Sequence, residues 1–400
     1  MSVDAGAAVR VIADDAEALA AASAFAAEIR GEAIERDIER AVPVAELEAL
    51  ARTGLLAITV PREYGGAGVS TETLTETFRI ISVADPAIGQ IPQNHFCFVE
   101  SITWDGTAEQ KELFFPQFLA GARLGNALSE RGGRTPLDFK TTLEPDPEGG
   151  YRLNGAKYYC TGALTAQLIP VFILDSDKHM HIAYVPRDAE GLTAEQDWSA
   201  MGQRATMSGT VRLENVHVEP EWVVPHWRAY ERPQVFGAFG QIMHAAVDVG
   251  IARNALEDGA EFVRTRTRPY FESDKETAAE DPVLLHRFGQ MATKLNAAEA
   301  LLVRAARAID AAGREPDAEQ AAAASLAVAE AKAFGADVAV EISSEIFEYA
   351  GTAATDARWD LDRHWRNART HSLHDPGRWK YIHAGNHVVT GTPPPNHPLI

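Results

Sequence analysis

Long helical segments dominate the sequence after Phe236, and they restrict the fold more than any other feature. Apolar and small residues recur at helical spacing over 236–268, 283–312, 318–350, 359–374 and 376–389, with breaks such as Ser273–Pro282. Helices this long, joined by short loops, predict an antiparallel bundle. The AAAAS run near Ala321 fits that reading, because alanine is the best helix former and lets helices approach closely. Residues 14–124 are also alanine-rich, with helical runs at 16–39, 44–53, 71–81 and 93–104. Asp85-Pro86 reads as a helix N-cap. Between these two regions the texture changes. The runs YRLNGAKYY, LIPVFIL, HIAYVP and TVRLENVHV alternate with turn residues, and Asn154-Gly155 predicts a two-residue hairpin. Short, regularly spaced strands predict a small barrel or sandwich. The expected fold class is therefore α+β, mostly α. It has an N-terminal helical domain (1–124), a central small β-barrel (125–232) and a C-terminal helical bundle (233–400). There is no βαβ alternation, and Gly65–Ser70 reads as a turn, so no nicotinamide dinucleotide site is expected.

Charge narrows the class of partner. The net charge of -20 argues against nucleic acid and anionic membranes, and no apolar run reaches the ~20 residues of a membrane span. Cys97 and Cys160, the only cysteines, give neither a disulfide framework nor zinc spacing. With no basic signal segment, a cytoplasmic location is expected.

The stretch RNARTHSLHDPGRWK carries the most chemistry. A helix is expected to stop near His374, because the residue before Pro376 is pushed out of helical geometry. His371 and His374 then share one face of its C-terminus, where the dipole favours their charged forms. Asp375 is expected to cap the next helix. The bland alternative is two surface histidines, and the local ligand set is too incomplete for a metal site. His383 and His387 form another helical pair. His95, between Phe96, Phe98 and Val99, reads on its own as a satisfied core histidine. Thr161 reads as a strand end, Trp198 as core, and Arg264, Arg266 and Arg268 as partly solvated.

The domain order and five motifs resemble the acyl-CoA dehydrogenase superfamily. The motifs are VPREYGG, FLAGARLGNALSE, NGAKYYCTGA, MGQRATMSGTVRLENVHVEPEWVV and LDRHWRNAR. Many members carry a glutamate that removes the substrate's α-proton; here the matching positions read His374-Asp375-Pro376-Gly377. The family's arginine-x-x-phenylalanine-glycine element is replaced by RTRTRPYF, with Arg266 in the arginine's place, and its glycine-rich turn is reduced to YAGTAATD. Both changes make FAD less expected.

IPQNHFCFVE and RNARTHSLHDP resemble one branch, the flavin-dependent monooxygenases of bacterial sulfur acquisition. That resemblance implies FMN, delivered reduced by a separate NAD(P)H-dependent flavin reductase. It also implies molecular oxygen, a homotetramer, and oxygenation of a small organosulfur substrate through a flavin hydroperoxide. It assigns catalytic roles to His95, His374 and His371, with His95 and His374 flanking the flavin's reactive edge. Asn126, Ser129, Thr161 and Trp198 are placed around the isoalloxazine, and Arg266 near the phosphate. A tyrosine used by the desulfurising member about a turn after the first histidine is absent, and Val99 stands there. The alternatives are an FAD-dependent acyl-CoA dehydrogenase with its base elsewhere, an amine N-hydroxylase of the same fold, and a non-catalytic scaffold.

Overall fold

The computed structural model describes residues 9–135 and 138–400. Seven helices come first: α1 (Asp15–Ile29), α2 (Ala33–Glu39), α3 (Val44–Arg52), α4 (Thr71–Ala84), α5 (Pro86–Gln90), α6 (Gln93–Asp105) and α7 (Ala108–Leu119). Side-chain caps start several of them. Asp14 accepts from Glu17 N, Ser70 from Thr73 N, and Asp85 from Ala87 N and Ile88 N, with Pro86 in the first turn. The sequence reading omits α7, whose interior Pro116 hides it; a Thr107/Gln110 capping box marks its start.

The C-terminal region holds α8 (Phe236–Arg266), α9 (Pro282–Ala312), α10 (Ala318–Ala350), α11 (Asp362–His371) and α12 (Gly377–Thr390). Helices α8, α9 and α10 share one apolar core with α1 and α4, so the two helical regions are packed as one body. Glycine makes the closest crossings possible. A Cβ on Gly250 of α8 would lie 2.5 Å from Ser82 Cβ of α4. Among the described residues, no helix is long and apolar enough to cross a membrane.

The central region forms one seven-stranded sheet in the order β5-β6-β2-β1-β3-β4-β7. The strands are β1 (Thr142–Pro145), β2 (Tyr151–Cys160), β3 (Leu168–Leu174), β4 (Met180–Pro186), β5 (Leu192–Glu195), β6 (Gly209–Val218) and β7 (Val223–Val224). Hydrogen bonding leaves β5 and β7 as edges, yet the faces of β3 and β4 meet those of β2 and β6 across a shared core. Ile169, Val171, Ala183 and Val185 pack there with Leu153, Val211 and Leu213. The opposite face of β3 and β4 (Leu168, Phe172, Ile182, Tyr184) packs against Phe98, Phe114 and Phe118 of α6 and α7. Burial on both faces explains why LIPVFIL is apolar throughout.

Asn154-Gly155 is not a hairpin turn. Strand β2 runs straight through it and pairs with β6, with a register shift between Leu153 and Gly155. Asn154 Oδ1 accepts from Asn215 N at 2.8 Å, and a Cβ on Gly155 would meet Thr141 Oγ1 at 2.3 Å. The long cross-strand pairing outweighs the local turn preference, and the dipeptide marks a bulge.

Candidate active site

One edge of the β region collects four of the five residues expected around a cofactor. Thr161 Oγ1 lies 2.7 Å from Ser208 Oγ, which lies 2.8 Å from Thr206 Oγ1, which donates to the Gln203 carbonyl at 2.9 Å. Trp198 Nε1 donates to that same carbonyl at 2.9 Å. The Trp198 ring meets Tyr159 edge-on, Asn126 Nδ2 approaches the Tyr159 carbonyl at 3.4 Å, and Ser129 O accepts from Tyr158 N at 2.8 Å. Tyr159, Gln203 and Met207 all hold positive φ here (59°, 49° and 52°), a conformation that side chains other than glycine adopt at a cost and that clusters at functional sites. Arg266 stands apart. It ends α8, about 33 Å along the axis from His244 at 1.5 Å per residue, with its guanidinium 3.7 Å from the centre of the Trp359 ring.

Gln203 joins this edge to the bundle. Its N–H donates to Asn367 Oδ1 at 2.6 Å, and its side-chain amide donates to the Pro86 carbonyl and to Gln90 Oε1. Asn367 lies one turn before His371 on α11, so the hydroxyl chain and the histidines share a frame.

The histidines form a cluster that the sequence shows only in part. His371 is fully buried; its Nδ1 lies 2.7 Å from Asp248 Oδ1 and its Nε2 lies 3.0 Å from His244 Nδ1. His374 stacks on His244 with ring centres 3.8 Å apart and keeps 38% of its side chain accessible. The enclosing protein and the Lys332 charge lower its pKa, and the same causes, with its neighbouring imidazoles, hold His244 well below the usual range. That corrects the expected charging of His374 by a helix dipole. Helix α11 ends at His371, so His374 lies beyond its last turn, near an ammonium group.

Asp375 is not a helix cap either. Pro376 stands at the N-cap of α12 without a side-chain bond, while Asp375 is buried between Lys332 and Lys380. Burial opposes its ionisation, but Lys332, His374 and Lys380 override that and hold its pKa far below the usual carboxylate range. His244 and Asp248 were missed. Gln241, His244 and Asp248 make a polar stripe, at spacings of three and four, on a stretch of α8 that is otherwise buried and mostly apolar. That stripe was the available signal.

His95 does not join the cluster. Its Nε2–H donates to the Leu56 carbonyl at 2.7 Å, and its Nδ1 accepts from Leu124 N at 3.2 Å. Gln93 and Cys97, two residues to either side, face Gly240 of α8, which turns His95 toward the opposite face of α6. Burial lowers its pKa to about 4. His95 holds the Leu124–Asn126 segment in place and has no free ring nitrogen with which to meet His374.

Three acyl-CoA dehydrogenase family signatures match the chain in order: the N-terminal domain over residues 13–122, the middle domain over 125–216 and the C-terminal domain over 242–376. The dibenzothiophene monooxygenase of Rhodococcus qingshengii is 35% identical over 396 residues, covering 95% of each chain. The FMN-bound crystal structure of TdsC from Paenibacillus sp. A11-2 superposes with a TM-score of 0.92 at 32% identity, covering 96% of this chain and 100% of that one. This chain belongs to the flavin-dependent monooxygenase branch of the acyl-CoA dehydrogenase family. A probable FMNH2-dependent monooxygenase of Pseudomonas putida, SfnC, is 30% identical, covering 94% of this chain and 96% of that one.

For a member of that branch, the β edge fits a flavin. Among the described residues, Asn126 Oδ1 is buried with no hydrogen-bond partner, as is Thr370 Oγ1 on the last turn of α11. Native interiors rarely leave such atoms unpaired. An open acceptor on Asn126 beside Tyr159 suits a ring edge that offers an N–H group.

Proposed function

We propose that this flavin-dependent monooxygenase takes FMN already reduced by a separate NAD(P)H-dependent reductase and, with molecular oxygen, oxygenates a small organosulfur compound. The observation that carries this reading is the state of Asp375. Many acyl-CoA dehydrogenases place the basic carboxylate that removes the substrate's α-proton at that point of the chain. Here the carboxylate is clamped between two buried lysines and is a very weak base, while an accessible, neutral imidazole stands beside it.

Asn126, Thr161, Ser129 and Trp198 would hold the isoalloxazine, and reduced FMN would supply there the two electrons that dioxygen needs. His374, neutral and accessible, can take or release a proton at a ring nitrogen. Beneath it, the packed α8 residues around His244 and Asp248 are shielded from bulk water. Arg266, far along α8, would serve the phosphate of a flavin whose ring is not over His244 of the same chain, which agrees with the expected homotetramer. Val99 is fully buried in the aromatic core and offers no hydroxyl where the desulfurising relative has one; this supports a compact sulfur substrate over a fused aromatic sulfide.

Anaerobic titration with FMN and FAD, each oxidised and reduced, tests the cofactor. Tightest binding of reduced FMN is expected. Subsequent addition of oxygen with short alkyl sulfides, sulfinates or dibenzothiophene tests the substrate. Bleaching of bound FAD by an acyl-CoA under anaerobic conditions would instead establish the dehydrogenase.

A further inference from the structure

The buried pair beneath His374 has features that a purely structural network does not need. Asp248 and His371 are fully buried, and among the described residues Asp248 Oδ2 has no hydrogen-bond partner. That oxygen can take a proton without giving up an existing hydrogen bond. Helix α8 supplies His244 and Asp248 one turn apart, and α11 supplies His371 between them.

We infer that Asp248, His371 and His244 form a relay that stores one proton and delivers it beneath His374. The inference rests on the proposed function for its use, because oxygenation sends one atom of dioxygen out as water, and some group must hand protons to oxygen.

The bonding fixes the route. An ionised Asp248 Oδ1 can only accept, so His371 carries its proton on Nδ1. His371 Nε2 is then a lone pair, and His244 Nδ1–H donates to it. This leaves His244 Nε2 bare, on the ring that His374 covers. In that state the unit carries one negative charge. A proton bound at His244 Nε2 is matched by transfer of the Nδ1 proton to His371 Nε2. The His371 Nδ1 proton then stays opposite Asp248 or passes to its oxygen. One proton enters, none is lost, and the loaded unit is neutral. Reversal returns the proton to His244 Nε2. The two locations of the stored proton titrate as one unit.

The surroundings favour release of the stored proton. Burial, the His374 ring, Lys332 from α10 and His371 all oppose protonation of His244, and Asp375 alone favours it. Lys380 from α12 acts at one remove, through Asp375. Asp248 and His371 are thus positioning and proton-holding residues, and His244 is the one that faces the site.

Asp248→Asn separates storage from geometry. The amide oxygen can still accept from His371 Nδ1–H, but the side chain can neither take the proton nor cancel a charge. Histidine-selective 15N NMR of the flavin-free protein, followed against pH, is the primary test and does not depend on any flavin chemistry. The expected result is one shared titration of His244 and His371, a trans-hydrogen-bond coupling between them, and Nδ1–H retained on His371. In Asp248→Asn that shared step should move down by ~2 pH units. Independent titration of the two rings, or an unchanged curve in the variant, would overturn the relay. If the variant does not fold, the coupling in the unmodified protein still decides, because its absence refutes the route. With reduced FMN and oxygen, Asp248→Asn should release more hydrogen peroxide per oxygen consumed while binding FMN as before. Unchanged peroxide yield beside a confirmed shared titration would leave the unit without the proposed delivery role and so overturn it.

Discussion

His95 and His374 were expected to do one job, and the two regions that hold them could hardly differ more. His95 lies among phenylalanines, with each ring nitrogen bound to a backbone group, and its pKa falls to about 4 because burial is nearly complete. His374 has one face on another imidazole and part of its side chain accessible, with Asp375 beside it and Lys332 close by. Both rings are held neutral. Only one of them can exchange a proton without breaking the fold. A motif identifies the residue type, but the neighbours decide whether the ring is a structural peg or a reagent.

The sharpest way to break that contrast is to truncate each ring. His374→Ala should lower product formation by about 10²–10⁴-fold, the usual worth of a positioned acid-base group, with little change in thermal melting of the apo protein. A comparable loss of melting temperature would make His374 structural after all. Removing Lys332 should come next. Lys332→Met leaves Asp375 with Lys380 as its only cationic partner and should cost about 3 kcal/mol in denaturant unfolding, as for other broken buried pairs. It should also raise the pKa of His374, because the ammonium that lowers it is gone. A double change with Asp375→Asn should recover part of the stability.

His95→Ala should cost about 2–4 kcal/mol, since it opens a cavity and strands the Leu56 carbonyl and Leu124 N–H. Its effect on turnover should follow from unfolding alone; a selective kinetic loss at full stability would return His95 to the reaction.

The pH dependence sharpens the same point. His95 and His364 are both held near pKa 4 by burial, against about 6.5 in an unfolded chain. The unfolded state therefore binds protons first as pH falls. Their contribution is complete above about 6.5 and is lost between there and about 4, on the order of 3 kcal/mol for each ring. In His95→Gln the slope of unfolding free energy against pH over that window should be shallower by about one proton. The smallest effect is at the flavin edge: Asn126→Ala should weaken FMN binding by roughly 5–10-fold, the worth of one hydrogen bond, and leave the melt of the apo protein unchanged.

Much of the fold was legible in the sequence. Helix α10 was read to the residue, because alanine-rich periodicity with an Asp317 cap and Gly351 beyond its end leaves little ambiguity. Helix α7 was hidden by its proline, and β1 and β5 by their length of four residues each. The site was legible where residues cluster along the chain. His371 and His374 were visible; His244 and Asp248, more than a hundred residues away, reached them only through the packing of α8 on α11. Asp375 misled for a local reason. An aspartate before a proline is an ordinary cap, and nothing nearby in the sequence announces that Lys332 will arrive from another helix.

Gln203 has a consequence for anyone who recombines relatives of this protein. Its backbone and side chain fasten the turn around residues 198–207 to α5 and α11 together, like a keystone shared by three arches. A hybrid whose crossover falls between residues 207 and 362 would inherit that stone from one parent and two of its arches from different quarries, so productive chimaeras should exchange residues 198–207 and α11 as a set.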